Sequence, residues 1–404
     1  MNSKRGNSLI QFFGLNTSIV SMLFMVICIG LGEKMAERFL PLYLLALGGS
    51  TLSVGFLNAL DNLLGALYSF PGGYLSEKLG YKRALQVFTL VAMFGYLIVI
   101  FIPAWQAVMI GSVFFIAWTA VSLPAIMSMV AKVNKKDKRT MGVTVHSFVR
   151  RIPMALGPVL GGLMIGLFGT ARGVRLSFVI AFALGVLSLV FIQLFMQDDK
   201  TRKAEPPKLW GMFKHFDARL RNLLVSDILI SFAEQIPYAF VVIWVVKNNG
   251  LSELQFGILT TVEMATAMLV YIPVAYFADR SAKKPFVVMT FCFFTAFPLV
   301  LLVSRTFWML VFAFVIRGLK EFGEPTRKAL IIDLAPEHLK AGTFGTYYLI
   351  RDVIVSIAAL SSAYLWNISP ATNFIAATAC GAAGTLLFAL FGKDLTASRE
   401  PAAA

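Results

Sequence analysis

Runs of about twenty apolar residues recur along almost the whole chain, at 17–46, 52–76, 84–102, 106–132, 140–168, 174–196, 222–247, 253–277, 286–303, 307–334, 340–367 and 371–392. A helix needs about 20 such residues to cross the hydrocarbon core of a bilayer. The runs are continuous rather than alternating with period two, which excludes a lipid-embedded β-barrel. The pattern predicts an all-α membrane protein with twelve transmembrane helices. Its longest interruption runs from Gln197 to Arg221 and contains Pro206 and Pro207. The chain therefore divides into a six-helix bundle over 1–197, a linker over 198–221 and a second six-helix bundle over 222–404. Within the linker, Leu209, Trp210, Phe213, Phe216 and Leu220 follow helical spacing among Lys208, Lys214 and Arg219. That predicts a basic amphipathic segment in the headgroup plane.

The polar positions inside the runs carry a second pattern. Glu33 and Glu234 are 201 positions apart, as are Arg150 and Arg351, while Asp61 and Glu263 are 202 apart. Phe39 matches Phe240, Pro71 matches Pro273, Pro124 matches Pro325 and Lys82 matches Lys284 at the same offsets. An ordered series at a near-constant offset implies two parallel structural repeats. The third, sixth, ninth and twelfth segments hold no charge in their apolar cores and are suited to face lipid. Charges in the other segments cost several kcal/mol at bilayer depth unless they face a polar interior or a partner. A repeated set of inward charges around one polar path points to transport.

Composition agrees with burial in lipid: 58% of residues are hydrophobic and 14% charged, against about 25% charged in soluble domains. The net charge of +15 would suit nucleic acid, but its placement does not. Most Lys and Arg collect at the termini and in the loops after even-numbered segments, leaving Arg172, Arg175, Lys247 and Arg305 for the other face. The positive-inside rule then places both termini in the cytoplasm, and no nucleic-acid partner is expected. The first apolar run continues into Glu33 and Lys34 without a small-residue cleavage site, so it reads as the first helix rather than a signal peptide. Cys28, Cys292 and Cys380 lie singly within segments, and His146, His215 and His338 do not cluster. No metal site, no cofactor and no phosphate-binding loop are expected, which disfavours an enzyme or an ATP-driven pump.

The loop after the second segment reads Gly73-Tyr74-Leu75-Ser76-Glu77-Lys78-Leu79-Gly80-Tyr81-Lys82-Arg83, with a degenerate copy that includes Asp279 and Arg280. It is similar to the signature loop of the major facilitator superfamily, and the resemblance covers essentially the whole chain. The resemblance implies that family's fold and alternating access. Gly73, Glu77, Lys78, Gly80, Lys82, Arg83, Asp279 and Arg280 would then form a conformational gate on the cytoplasmic side. In the fifth segment, Gly157-Pro158-Val159-Leu160-Gly161-Gly162 resembles the core of a motif associated with proton-driven antiporters. Gly157, Pro158, Gly161 and Gly162 also suit a close-packed, bent helix. The upstream glycines of that motif are replaced by Thr144 and Pro153.

The resemblance further implies that the first, fourth, seventh and tenth segments line a central cavity. Glu33 and Glu234 are then the leading proton-coupling residues, with a structural ion pair as the other reading. Asp61 and Glu263 are proton sites or a clamp between the halves on the outer side. The tenth segment holds the densest polar set, Arg317, Lys320, Glu321, Glu324, Arg327 and Lys328, with Glu321 and Glu324 as further proton-coupling residues. The fourth segment carries no corresponding charge, so the family's proton role there does not transfer directly. Arg150, Arg317 and Arg351 can grip an anionic group with forked hydrogen bonds or neutralise a neighbouring acid. Trp118, Tyr238 and Tyr347 can stack on substrate or serve as packing. The expected partners are a small-molecule substrate, protons and the lipid bilayer. The expected protein is a monomer in a bacterial inner membrane that exports small amphipathic compounds by proton antiport. The alternatives are proton-coupled uptake of an anionic or zwitterionic solute and a lipid or lysolipid flippase.

Overall fold

Helices account for the regular structure among the residues described by this computed structural model, 17–116, 118, 122, 126, 139–197, 216–278, 282–335 and 340–392. In hydrocarbon each backbone N–H and C=O must be bonded within its own segment, so apolar runs close into helices. The first half contains α1 (Thr17–Glu37), α2 (Leu40–Ala46), α3 (Thr51–Leu79), α4 (Tyr81–Phe101), α5 (Trp105–Phe115), α6 (Arg139–Phe168) and α7 (Thr170–Phe195). The second contains α8 (Ala218–Tyr238), α9 (Val241–Ile243), a π-helical turn (Trp244–Asn248), α10 (Glu253–Ala278) and α11 (Lys284–Val303). It continues with α12 (Phe307–Leu319), α13 (Glu324–Leu334), α14 (Lys340–Ile368) and α15 (Pro370–Phe391).

Three of the runs read as single helices are broken. The first gives α1 and α2, parted before Pro41, which sits in the first turn of α2, where a missing N–H costs nothing. The seventh breaks after Pro237 into α8 and the α9–π-turn pair, bent by 40°. These two breaks fall at Phe39 and Phe240, so the repeat extends to the kinks. The tenth run breaks between α12 and α13 over Lys320–Gly323, with Pro325 again in the first turn of the helix that follows. Two matched turns, at Gly48 (φ +83°) and Gly250 (φ +70°), use the left-handed backbone open to glycine. Six described helices are long and apolar enough to cross a bilayer, and a seventh span results if the bent pair counts as one.

The helices sort into two compact units. The first takes residues up to 48, 64–206 and 252–258; the second takes 49–63, 207–251 and 259–404. The long helices α3 and α10 are therefore shared, each beginning in one unit and ending in the other. In the first unit, α6 packs closely on α1. A Cβ added to Gly161 would lie 2.0 Å from the carbonyl oxygen of Met35, and one on Gly157 would meet the Lys34 side chain at 2.6 Å. Gly162 leaves the same kind of room for the backbone of Glu253 at the start of α10. The glycines predicted to allow close approach are thus backbone-to-backbone contact points.

In the second unit, Phe216, Leu220, Leu223 and Leu224 join Phe291, Leu330 and Phe388 in one buried cluster. Phe216 and Leu220, expected at the headgroup plane, are 4% and 0% exposed. Asp217 caps α8, accepting from the Leu220 amide at 2.8 Å, which turns this end of the linker into the core. The rest of the predicted amphipathic segment lies outside the described residues. The third, sixth, ninth and twelfth segments, α4, α7, α11 and α15, carry exposed apolar side chains such as Leu90, Phe94, Val190, Leu299 and Leu386. Lipid solvates such surface at no cost.

Candidate functional site

Each unit holds one pocket lined by the charges singled out above, and the two pockets occupy equivalent places in the repeat. The first is lined by Val26, Gly30, Glu33, Lys34, Trp118, Ser122, Ile126, Arg150, Pro153 and Met154. The second is lined by Asn62, Ser231, Glu234, Gln235, Phe294, Lys320, Glu321, Glu324, Arg327, Lys328, Tyr348, Arg351, Asp352 and Val355. At the offset of 201, Glu33 corresponds to Glu234, Lys34 to Gln235, Ile126 to Arg327, Arg150 to Arg351 and Met154 to Val355. The same turn of each repeat faces the same kind of space, but the chemistry has diverged.

The first pocket is a niche of about 30 Å³, room for a water molecule or two. Glu33, 9% exposed on α1, receives the Lys34 ammonium at 3.1 Å, and that ammonium also pairs with Glu37. Trp118 is 5% exposed and donates its indole N–H to the Thr89 hydroxyl at 3.3 Å. Among the described lining residues, those other than Glu33, Lys34, Arg150 and Ser122 are apolar or aromatic. Glu33 thus sits, paired with Lys34, at the edge of a water-sized, largely apolar space.

The second pocket is about 240 Å³, just below the usual lower bound of roughly 300 Å³ for small-molecule sites. Four acids and four bases line it: Glu234, Glu321, Glu324 and Asp352 against Lys320, Arg327, Lys328 and Arg351. Lys320 bonds Glu234 at 2.5 Å and lies 3.7 Å from Glu263. Glu324 pairs with Arg327 at 2.5 Å and with Lys328 at 3.2 Å. Arg351 binds Asp352 at 2.7 Å and stacks on Tyr348, its guanidinium 4.3 Å from the ring centroid. The break between α12 and α13 is what swings Lys320, Glu321 and Glu324 toward one space. Straight helix geometry would have paired Arg317 with Glu321; instead Arg317 reaches Glu263 at 3.3 Å.

Behind the pocket lies Asp227, a fully buried acid on α8 that the sequence reading did not single out. It pairs with Arg327, accepts from the Tyr347 hydroxyl at 3.0 Å and lies 3.5 Å from Arg351. Its signal was present: Asp227 precedes Glu234 by seven residues, two turns along the same helix face. Its repeat equivalent is Val26, so no matched charge marks it in the other half.

The remaining predicted residues fall as follows. Arg317, 3% exposed, is packed against the rings of Phe297, Tyr238 and Phe314, and lies outside the lining of both pockets. Tyr238 and Tyr347 are likewise outside the lining, Tyr347 being fully buried on Asp227. Glu263, expected near the outer surface, is 1% exposed inside the second unit. Asp61 is half-buried on the part of α3 that belongs to the second unit, beside the pocket residue Asn62. Of the gate residues, Lys78 is exposed with its ammonium 5.9 Å from the Tyr74 ring centroid, and Gly80 takes φ +80° between α3 and α4. Gly73 belongs to α3, and Lys82 and Arg83 open α4. The side chain of Glu77, together with Asp279 and Arg280, lies outside the described residues.

Two repeat-related pockets whose charges sit deep among apolar membrane-length helices define a membrane carrier rather than a soluble binding protein. The chain belongs to the Major Facilitator Superfamily, which its sequence matches over residues 22–233 and 223–404; this is a family of transporters, not enzymes. Among curated relatives it is 22% identical over 269 residues to the uncharacterized MFS-type transporter YqjV of Bacillus subtilis (strain 168), covering 62% of each chain. It is 24% identical over 209 residues to the quinolone resistance protein NorA of Staphylococcus aureus (strain MRSA252), covering 49% of this chain and 53% of that relative. The chain thus spans less than two thirds of the length of these curated relatives, 62% and 53%. Among solved structures, a POT family transporter in complex with 5-aminolevulinic acid has a TM-score of 0.78 at 14% identity, covering 94% of this chain and 97% of the other. A variant of the nucleoside transporter NupG has a TM-score of 0.78 at 11% identity, covering 94% and 100%. At these identities the likeness establishes the fold alone.

Proposed function

We propose that this chain is a proton-coupled secondary transporter that works by alternating access and exports small amphipathic compounds in exchange for protons. It would span the bacterial inner membrane as a monomer with twelve helices and both termini in the cytoplasm. The reading rests above all on the divergence of the two matched pockets. The water-sized niche around Glu33 suits a proton, and the larger, charge-lined pocket around Arg351 and Lys320 suits the polar end of a substrate. Export is favoured over import by the similarity to a quinolone resistance protein and by the Gly157-Pro158-Gly161-Gly162 motif. In this scheme Glu33 carries the proton. Glu234, held by Lys320, couples the pocket to it by giving up or regaining that partner when substrate enters.

Proteoliposomes with an acid interior test the scheme, with ethidium as the transported probe. The parent protein is expected to accumulate ethidium as protons leave. Glu33→Gln should reduce gradient-driven accumulation at least ten-fold while leaving downhill exchange intact. Arg351→Gln should raise KM with less effect on the maximal rate. Retention of full gradient-driven accumulation by both Glu33→Gln and Glu234→Gln would refute the site assignment. A second reading has one observation in its favour: acids and bases share the second pocket, as recognition of a zwitterion requires. Accumulation of a dipeptide under an inward proton gradient, with none of ethidium, would establish uptake instead.

A further inference from the structure

A third concavity lies away from both pockets, on the outer surface of the first unit between α4 and α7. It is an open groove of about 690 Å³ lined by Leu79, Arg83, Gln86, Val87, Leu90, Leu189, Val190, Gln193 and Leu194. Its walls are apolar side chains turned outward: Val87, Leu90, Val190 and Leu194 are 43%, 54%, 47% and 69% exposed. Its polar residues are confined to the end where α4 begins and α7 finishes. There Gln86 donates to the Gln193 side chain at 2.8 Å, and Lys82 donates its ammonium to the Gln193 carbonyl at 3.1 Å. Arg83 is exposed beside them, and the adjoining α4 is preceded by Gly80, which brings no capping side chain. No acid stands among the described lining residues.

We infer that this groove binds one anionic glycerophospholipid of the cytoplasmic leaflet, its phosphate held by Arg83 and Lys82 and an acyl chain laid along Leu90, Val87 and Val190. The occupant follows from the charge distribution. Away from Arg83, Gln86 and Gln193 the described walls are apolar, as an acyl chain requires, and those polar residues lie at the end the proposed topology puts in the cytoplasmic headgroup layer. Basic pockets between membrane helices on that side select anionic headgroups, each Lys or Arg adding roughly five-fold in affinity. A soluble anion would gain nothing from the apolar walls, and a neutral lipid nothing from the cations. The inference rests on the proposed orientation but not on proton coupling or on the substrate.

Native mass spectrometry of the full-length protein, delipidated and offered equimolar phosphatidylglycerol and phosphatidylethanolamine with identical acyl chains, tests it. Phosphatidylglycerol should be retained at least ten-fold in preference. Arg83→Gln should cut that retention about five-fold and the Lys82→Gln, Arg83→Gln pair about 25-fold, with phosphatidylethanolamine unchanged. Leu90→Trp with Val190→Trp, filling the groove, should displace both lipids. Lys284→Gln, at the repeat position of Lys82 in the other half, should leave retention as it was. Thermal unfolding in detergent alone shows whether each variant is folded; these are surface positions and should unfold with the parent. Equal retention of the two lipids, or retention unaffected by both the cation and the groove variants, would overturn the inference. So would displacement of the bound lipid by millimolar inorganic phosphate, which would make the site one for soluble anions.

Discussion

Asp227 shows how one buried acid can organise a charged wall. It holds Arg327, Arg351 and the Tyr347 hydroxyl from behind the pocket, leaving Glu324, Lys328 and Asp352 to face the open side. Removing one member of a buried pair strands the others, at a cost of about 3–5 kcal/mol. Asp227→Ala should therefore lower the thermal unfolding midpoint in detergent far more than Glu234→Gln, because Lys320 keeps Glu263 3.7 Å away when Glu234 is neutralised. A double variant, Asp227→Ala with Arg327→Met, should recover most of that loss. Equal destabilisation by Asp227→Ala and Glu234→Gln would show that Asp227 does not anchor the network.

At the scale of elements, the breaks do more than the spans. The α12–α13 break brings Lys320, Glu321 and Glu324 to one pocket, and Pro325 sets where the second helix restarts. Close packing of α6 on α1 fixes the niche around Glu33 and Arg150. Gly161→Ala would drive a methyl into the Met35 carbonyl, and overpacking of this kind costs about 1–3 kcal/mol. The shift it forces falls on α1 at Met35, two residues from Glu33, so transport should fall with stability. Gly166→Ala, on the same helix with nothing within 4 Å, should leave the unfolding midpoint within a degree or two. A drop in midpoint common to both would mean that any change in α6, rather than the close approach, is responsible.

For the whole molecule, the consequence of shared helices is that neither half of the chain builds its unit alone. Residues 49–63 belong to the second unit, where Asn58 donates to the Gln235 carbonyl at 3.0 Å. Asn62 there reaches the Gln235 side chain at 3.2 Å, and Gly55 lies against Ala363. Expressed by itself, 198–404 should accumulate poorly in membranes, and co-expression with 1–197 should restore it and let the two co-purify. Equal yields of the isolated and co-expressed C-terminal half would show that these contacts do not matter for its stability. Placing Asp or Lys at Gly55 in the intact chain should reproduce the loss, since a side chain there meets Ala363 at 2.7 Å.

Length and hydropathy of the apolar runs determined the helical membrane fold, because the bilayer leaves the backbone no alternative, and the 201-residue offset pointed to an internal repeat. Those signals are local or periodic, so the sequence alone carries them. Which charges meet is a different matter. Glu33, Arg150, Glu234 and Arg351 were legible because the repeat marks them twice. Asp227 was not, since its counterpart is Val26 and it lies near a segment end, where an acid reads as solvated. Arg317 and Tyr347 looked equally available as substrate ligands, yet tertiary packing turned one into aromatic surroundings and the other onto a buried carboxylate. Kinks at Phe39, Phe240 and Lys320–Gly323 decide these orientations, and a few degrees of helix rotation, which no spacing rule specifies, separate a pocket wall from its support.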